Sequence, residues 1–160
     1  NYIQDTVLEG IYTDEPDETL RNLGYTSNYV VSNNQIVRSG RPGIYLAYVN
    51  NFMVSGNMLI SPSIETDNTR SGILIASAAS YGLVTDNLVK MNVNGNQNQY
   101  GIQLTNTVTN TQLFNNKLEG KTGKQNIAGA NNFEGFTLTN TGGVTKAVRL
   151  NSAATGLEVV

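Results

Sequence analysis

The sequence predicts an all-β fold, a parallel β-helix in which the chain winds into a solenoid of stacked coils. Two short sequence motifs recur along the 160 residues, an Asn-x-aliphatic step and a Gly-Ile step. The asparagines are Asn1, Asn34, Asn57, Asn87 and Asn116, and the glycines are Gly10, Gly43, Gly72 and Gly101. From a glycine to the next asparagine the chain runs 14 (43 to 57), 15 (72 to 87) and 15 (101 to 116) residues. A frame that returns in this way, with short strands and no helical period, is typical of a solenoid.

The first coil, Asn1 to Ile11, is followed by an insertion, because the separation from glycine to asparagine grows there to 24 residues (10 to 34). Within the insertion, Pro16 at a first turn and Gly24 beyond a last turn predict a short helix. Its acidic residues suit the positive N-terminal end of that helix, and their spacing matches no calcium loop. They are Asp14, Glu15, Asp17 and Glu18.

The second coil is the plainest, and its 23 residues (34 to 57) define the basic coil length. Short strands are predicted at 30–31, 35–37, 44–46 and 52–54, separated by turns rich in Ser, Asn and Gly. The third and fourth coils carry additional residues at 61–69 and 92–98. These two insertions occupy the same place in the frame, so two stacked loops are expected to project from one side.

The fifth coil, Leu113 to Asn132, keeps Asn116 and replaces the glycine step with Asn126-Ile127. The predicted organisation is therefore a run of β-helix coils over 1–132. Residues 133–160 are expected to form a last coil, a cap or the start of a following β module. Because the repeat begins directly at Asn1, the chain is expected to be a fragment of a longer protein.

Alternation within each strand predicts which side chains face the interior. Ile44 and Leu46 should point inward with Tyr45 outward, and the same rule applies to the corresponding strands of the next two coils. Stacking then places Ile11, Ile44, Ile73 and Ile102 above one another. The recurring asparagines fall at a turn, where a carboxamide can donate to and accept from its copy one coil away. A structural ladder is therefore predicted at Asn34, Asn57, Asn87 and Asn116.

Composition excludes several classes of function. The chain contains no cysteine and no histidine, which rules out a disulfide framework and removes the commonest general base and metal ligand. No metal and no cofactor are predicted. The 10 Lys and Arg residues are scattered, so no nucleic-acid partner is expected. Apolar runs are only as long as strands, and no membrane insertion is expected.

The Val-x-x-Asn-x-Val step, as at Val84 to Val89, and the Gly-Ile-x-Leu step, as at Gly101 to Leu104, resemble a known family. It is the right-handed, single-stranded parallel β-helix of the pectate-lyase-like superfamily. The Asn- and Thr-rich sequence is most similar to phage tailspike and tail-appendage proteins. This resemblance implies a host polysaccharide as ligand, degraded if the protein is active as a glycoside hydrolase. It also implies a homotrimer located on the virion tail or outside the cell.

Two other functions fit the same repeat. One is a non-catalytic shaft or trimerising segment that only sets length. The other is a bacterial polysaccharide lyase or epimerase, whose chemistry needs a strong base that a chain without histidine must find elsewhere.

The resemblance to glycosidases directs attention to carboxylate pairs, because such enzymes use two carboxyl groups about 5–10 Å apart with one kept protonated. The candidate catalytic residues are Asp86 beside the ladder, Glu65 and Asp67 in the third-coil loop, and Glu119 one coil beyond Asp86. The frame places Asp86 and the base of the 61–69 loop on neighbouring coils. The alternative is that all four are solvated surface acids.

Two further pairs are candidates for carbohydrate binding. Arg41 and Arg70 both precede a glycine step by two residues, so they should stack one coil apart and could hold an anionic sugar. The corresponding residue in the next coil is Gln99. Tyr12 and Tyr45 follow the glycine step in adjacent coils and should form an outward aromatic platform for a sugar ring. The alternatives are solvent-exposed arginines and tyrosines chosen as strand residues.

Overall fold

The computed structural model describes residues 1–13, 27–139, 145–149 and 158–159. It confirms the predicted all-β, right-handed parallel β-helix. The strands are β1 (Tyr2–Gln4), β2 (Ile11–Thr13), β3 (Val30–Ser32), β4 (Gln35–Val37), β5 (Ile44–Ala47), β6 (Asn50–Ser55), β7 (Met58–Ile60), β8 (Ile73–Ala76), β9 (Ser80–Thr85), β10 (Leu88–Lys90), β11 (Tyr100–Leu104), β12 (Gln112–Phe114), β13 (Lys117–Leu118), β14 (Gly123–Ile127), β15 (Phe133–Thr139), β16 (Thr145–Arg149) and β17 (Glu158–Val159). The helix and the whole acidic run predicted in the insertion lie outside the described residues.

Three sheets run along the solenoid, and each coil adds one strand to each sheet. Sheet A contains β1, β4, β7, β10 and β13, and sheet B contains β2, β5, β8, β11 and β14. Sheet C contains β3, β6, β9, β12 and β15, extended by β16 and β17. Successive partners in sheet A are 33 (2 to 35), 23 (35 to 58), 30 (58 to 88) and 29 (88 to 117) residues apart. No helix in the described ranges is long and apolar enough to cross a membrane.

The interior is built from the aliphatic columns that the alternation predicts. Ile11 pairs with Ile44, Ile44 with Ile73, and Ile73 with Ile102, and the last three are fully buried. The glycine steps explain how the corner between sheets A and B closes. A β-carbon on Gly43 would lie 2.5 Å from a methyl group of Leu59 in sheet A, so any larger residue there would require this buried side chain to shift.

The recurring asparagines form a continuous buried ladder at the corner between sheets C and A. In each coil the Nδ2 group donates to Oδ1 of the next asparagine, at 2.9 Å (Asn34 to Asn57), 2.9 Å (Asn57 to Asn87) and 3.0 Å (Asn87 to Asn116). The backbone N–H of the same residue donates to that oxygen at 3.0 Å in all three coils. The second Nδ2 proton reaches the end of sheet C, as from Asn87 to Val54 O at 2.9 Å. Each carboxamide therefore forms hydrogen bonds with backbone groups at its own corner and with the asparagines of the neighbouring coils.

The residue before each ladder asparagine adopts left-handed backbone angles. The φ values are 54° at Asn33, 63° at Gly56, 56° at Asp86 and 50° at Asn115. Asn, Asp and Gly are the residue types that tolerate this region best. The corner thus has two sequence requirements, a residue tolerant of positive φ followed by asparagine.

The two insertions stack on each other, as the frame predicts. The Asn68 N–H donates to Gln97 O at 2.8 Å, and the Gln97 N–H donates to Asp67 Oδ1 at 3.0 Å. A third segment follows in the fifth coil, where the Thr122 hydroxyl donates to Asn68 Oδ1 at 2.7 Å. The loops form a ridge at the corner between sheets A and B.

The last coil differs from the sequence-based alignment. Ile127 pairs with Leu104 and Gln125 pairs with Ile102, so the Asn126-Ile127 step lies two residues beyond the position expected for it. The register follows the buried column, because Ile127 packs against the core where Leu104 does one coil above. Beyond this coil, β15 pairs in parallel with β12 but antiparallel with β16, which ends the purely parallel stack.

Candidate functional site

A shallow groove of about 270 Å³ lies on the outer face of sheet B. Register explains its floor, because Tyr12 pairs with Tyr45 and Tyr45 with Leu74, which places the three outward side chains in one column. The groove is lined by Glu9, Tyr12, Arg41, Pro42, Tyr45, Arg70 and Leu74. All four residues predicted to bind carbohydrate therefore lie in one groove.

The two tyrosines stack on each other. Their ring centroids are 5.3 Å apart and their planes differ by 10°. One face of each ring therefore contacts the other ring, and Tyr12 is still 55% exposed. The pair presents a rigid aromatic surface to the groove, because the strand backbones on adjacent coils hold both side chains.

Alternating charges line the rim of the groove. Arg41 Nη1 lies 3.9 Å from Glu9 Oε1, and Arg41 Nε lies 3.3 Å from Glu65 Oε2. The same Glu65 oxygen is 3.8 Å from Arg70 Nη2. Glu65 thus holds both arginines, and each pair is exposed enough to contribute about 1 kcal/mol or less to stability.

Backbone pairing places Glu65 at this position. The third-coil loop follows the corner of the coil above, where the Ser63 N–H donates to Arg41 O at 3.0 Å and the Glu65 N–H donates to Gly40 O at 2.8 Å. The Glu65 side chain therefore extends over the arginine of the preceding coil and reaches the one of its own coil. A carboxylate or sulfate on a ligand would compete with Glu65 for these guanidinium groups.

The predicted catalytic pairing of Asp86 with Glu65 or Asp67 is not formed. Asp86 lies at the corner between β9 and β10, whereas Glu65 and Asp67 lie in the loop between β7 and β8. These corners lie at opposite ends of the strands of sheet A, although they belong to neighbouring coils. Asp86 accepts hydrogen bonds from Thr85 Oγ1 and Asn115 Nδ2. Its left-handed backbone accounts for an aspartate at this position.

The remaining two acids are engaged elsewhere. The Lys121 ammonium, and then the Gln97 N–H, hold the pKa of Asp67 below its usual range, so this carboxylate is ionised at neutral pH. Glu119 Oε2 accepts from the Met91 N–H at 3.2 Å. Of the four predicted catalytic residues, only Glu65 contacts the groove lining, and it does so through the two arginines.

Sequence inspection missed Glu9, Pro42 and Leu74 as groove residues. A signal for each was present, because Glu9 and Pro42 immediately precede a glycine step and Leu74 occupies the outward position that Tyr45 occupies one coil earlier. Glu9 and Leu74 are partly exposed in their coils, whereas Pro42 is buried. The frame that aligns the buried positions also aligns the outward ones.

Comparison with known proteins adds a family assignment. The family model described as "Periplasmic copper-binding protein (NosD)" matches residues 9–148, which spans most of the solenoid. The chain belongs to the NosD family. No curated protein and no solved structure matches this NosD-family chain.

The side chains of this NosD-family member do not fit a copper site. Copper in proteins is held by imidazole, thiolate and thioether groups, and the chain has no histidine and no cysteine. Its methionines are Met53 in sheet C, Met58 in sheet A and Met91 after β10, so they do not share one strand or one sheet. Among the residues that the structure describes, no three acidic side chains cluster as a metal-binding group.

Proposed function

We propose that this NosD-family β-helix binds a polysaccharide along the groove of sheet B. The observation that carries the proposal is that Tyr12, Tyr45, Arg41 and Arg70 converge in one groove. Aromatic rings contact the apolar faces of sugars, and guanidinium groups form paired hydrogen bonds with hydroxyl, carboxylate or sulfate oxygens. A groove that runs along stacked coils suits an extended chain of sugars better than a compact ligand.

The same geometry favours binding over cleavage. A glycoside hydrolase needs a carboxyl group that stays protonated near neutral pH beside a second, ionised one. Asp67 has a lowered pKa, and Glu65 is paired with two arginines. Asp86 lies at the other end of the sheet A strands from these two acids. The described part of the chain thus brings no two of the predicted acids together at the groove.

The family assignment bears on location. The description of the family is that of a periplasmic protein, which supports export to the periplasm or beyond the cell surface, where polysaccharides are found. Resemblance to phage tail appendages remains a prediction that the family assignment does not support. The expected homotrimer also remains a prediction.

A shaft without ligand is the second candidate. It is supported by the charge pairs themselves, because Glu65 joins Arg41 and Arg70 across two coils and could serve only to hold those coils in place. A polysaccharide lyase or epimerase is a weaker alternative, since both arginines that could assist proton abstraction are already paired with carboxylates.

Binding to an array of neutral, carboxylated and sulfated polysaccharides tests the proposal. Replacing a ring contact should weaken binding by roughly tenfold, so Tyr45→Ala and Arg70→Gln are expected to lose signal on the same glycans. Matched controls are Tyr2→Ala and Arg38→Gln, because Tyr2 and Arg38 lie on sheet A and at its edge, away from the groove. Equal binding by all four variants, or no binding to any glycan by the parent chain, would favour the shaft.

A further inference from the structure

Within the described residues the asparagine ladder ends at Asn116, and that end differs from the coils above it. In the coils of Asn34, Asn57 and Asn87, the backbone N–H and one Nδ2 proton together hold Oδ1 of the next asparagine, at 2.9–3.0 Å. Asn116 uses its other Nδ2 proton in the usual way, donating to Val84 O at 2.8 Å. Among the described residues, no next asparagine receives its remaining two donors.

This end of the ladder opens onto a recess of about 440 Å³, which Asn116 helps to line. Unlike Asn57 and Asn87, each of which is 1% exposed, Asn116 is only partly buried. At the end of the ladder Asn116 is therefore partly exposed, and among the described residues its donor pair has no asparagine partner. It is also preorganised, because Oδ1 of Asn116 is fixed by Asn87.

Three exposed ammonium groups surround the same recess, those of Lys90, Lys117 and Lys124. None of the ion pairs between described residues involves these three lysines. Glu119 is the one carboxylate lining the recess within the described part of the chain, and it accepts from the Met91 N–H. A protein of net charge −2 thus places a local positive excess at this point.

We propose that the recess binds an oxyanion, namely a carboxylate, sulfate or phosphate group. The N–H and Nδ2 donors of Asn116 would hold one of its oxygens in the way they hold a carboxamide oxygen in the coils above. The lysines would neutralise its charge, and charge-assisted hydrogen bonds of this kind are the stronger ones. This site is separate from the groove of sheet B and does not depend on the polysaccharide proposal.

An added β-strand is a less suitable occupant. β13 is the last strand of sheet A among the described residues, so its edge could in principle pair with another chain. Lysines on an edge strand are a common means of preventing such pairing. The same lysines attract a small anion, which needs no strand alignment.

The test uses the full ¹⁵N-labelled chain titrated with sodium acetate, sodium sulfate or sodium phosphate, with sodium chloride at equal ionic strength as reference. The backbone and side-chain amide signals of Asn116 should shift saturably with at least one oxyanion and not with chloride. Those of Asn57, whose donors are already paired, should move little. The oxyanion that saturates at the lowest concentration identifies the preferred group.

Variants separate a built site from general charge attraction. Lys117→Gln and Lys124→Gln should each weaken binding by about tenfold, the value of one charge-assisted hydrogen bond. Lys121→Gln is the matched control, because Lys121 is paired with Asp67 in the loop ridge. Shifts at Asn116 that match those in chloride, or that persist unchanged when Lys90, Lys117 and Lys124 are all replaced by glutamine, would overturn the proposal.

Discussion

The ladder corner and the groove of sheet B are built on the same coils but follow opposite rules. At the corner one residue type returns in every coil, is buried, and makes the same hydrogen bonds each time. In the groove the outward column changes from Tyr12 and Tyr45 to Leu74, and its side chains are exposed or half-buried. Positions that repeat therefore specify the fold, whereas positions that vary within the same frame specify what the surface can bind.

The largest expected effect comes from breaking the repeated region. Asn87→Ala leaves the N–H and Nδ2 donors of Asn57 without an acceptor in a buried corner, and each unsatisfied group costs about 1–3 kcal/mol. We expect the free energy of unfolding to fall by roughly 2–4 kcal/mol, measured by urea denaturation. Asn94→Ala, in an exposed loop, is the control and should change it by less than about 0.5 kcal/mol. Equal effects at both sites would mean that the ladder does not stabilise the fold.

A second change tests the residue before the ladder. Asp86→Val forces a β-branched side chain into the left-handed region and should cost about 1–2 kcal/mol in unfolding free energy. Asp86→Asn keeps a residue that tolerates this region and should be nearly neutral in the same assay. If both variants fold normally but Asp86→Asn abolishes a glycan-degrading activity, the catalytic assignment is right and the structural one is wrong.

The groove predicts an effect on binding rather than on stability. Glu65→Gln removes the carboxylate that holds Arg41 and Arg70, so both guanidinium groups lose one ion pair and Arg41 keeps only its 3.9 Å contact with Glu9. Affinity for a carboxylated or sulfated glycan should rise by a few-fold, while the unfolding free energy changes by about 1 kcal/mol or less. Calorimetric titration measures the first and urea denaturation the second. Loss of binding in this variant would instead mean that Glu65 itself contacts the ligand.

The smallest effect concerns the loop ridge. Because the pKa of Asp67 is lowered in the folded chain, its ion pair stabilises the fold above the ordinary pKa of aspartate. That contribution is lost as pH falls through the lowered pKa. Lys121→Gln should raise the pKa of Asp67 towards its ordinary value, as followed by NMR titration of the carboxyl group. An unchanged pKa would show that the Gln97 N–H, not Lys121, is the dominant cause.

Much of the fold could be predicted from the sequence because stacked coils repeat their requirements. Ile44, Ile73 and Ile102 were assigned to one buried column from spacing alone, and the register places them there. The same frame brought Tyr12 next to Tyr45 and Arg41 near Arg70, because residues at equal positions in adjacent coils must lie one above the other. The predicted alignment was wrong in the fifth coil, because that coil lacks the glycine step and its register is set by Ile127 instead.

The solenoid, the ladder and the outward pairs can all be predicted from the order of residues, because each depends on a residue type that recurs at a nearly constant interval. Which acids pair with which bases depends instead on how the loops fold against the coils. Glu65 reaches two arginines because its loop pairs with the backbone of the coil above. Asp86 is separated from Glu65 because the two residues lie at opposite ends of the strands of sheet A. The physical reason is that stacking constrains position along the solenoid axis, whereas position around each coil depends on how its particular loops fold.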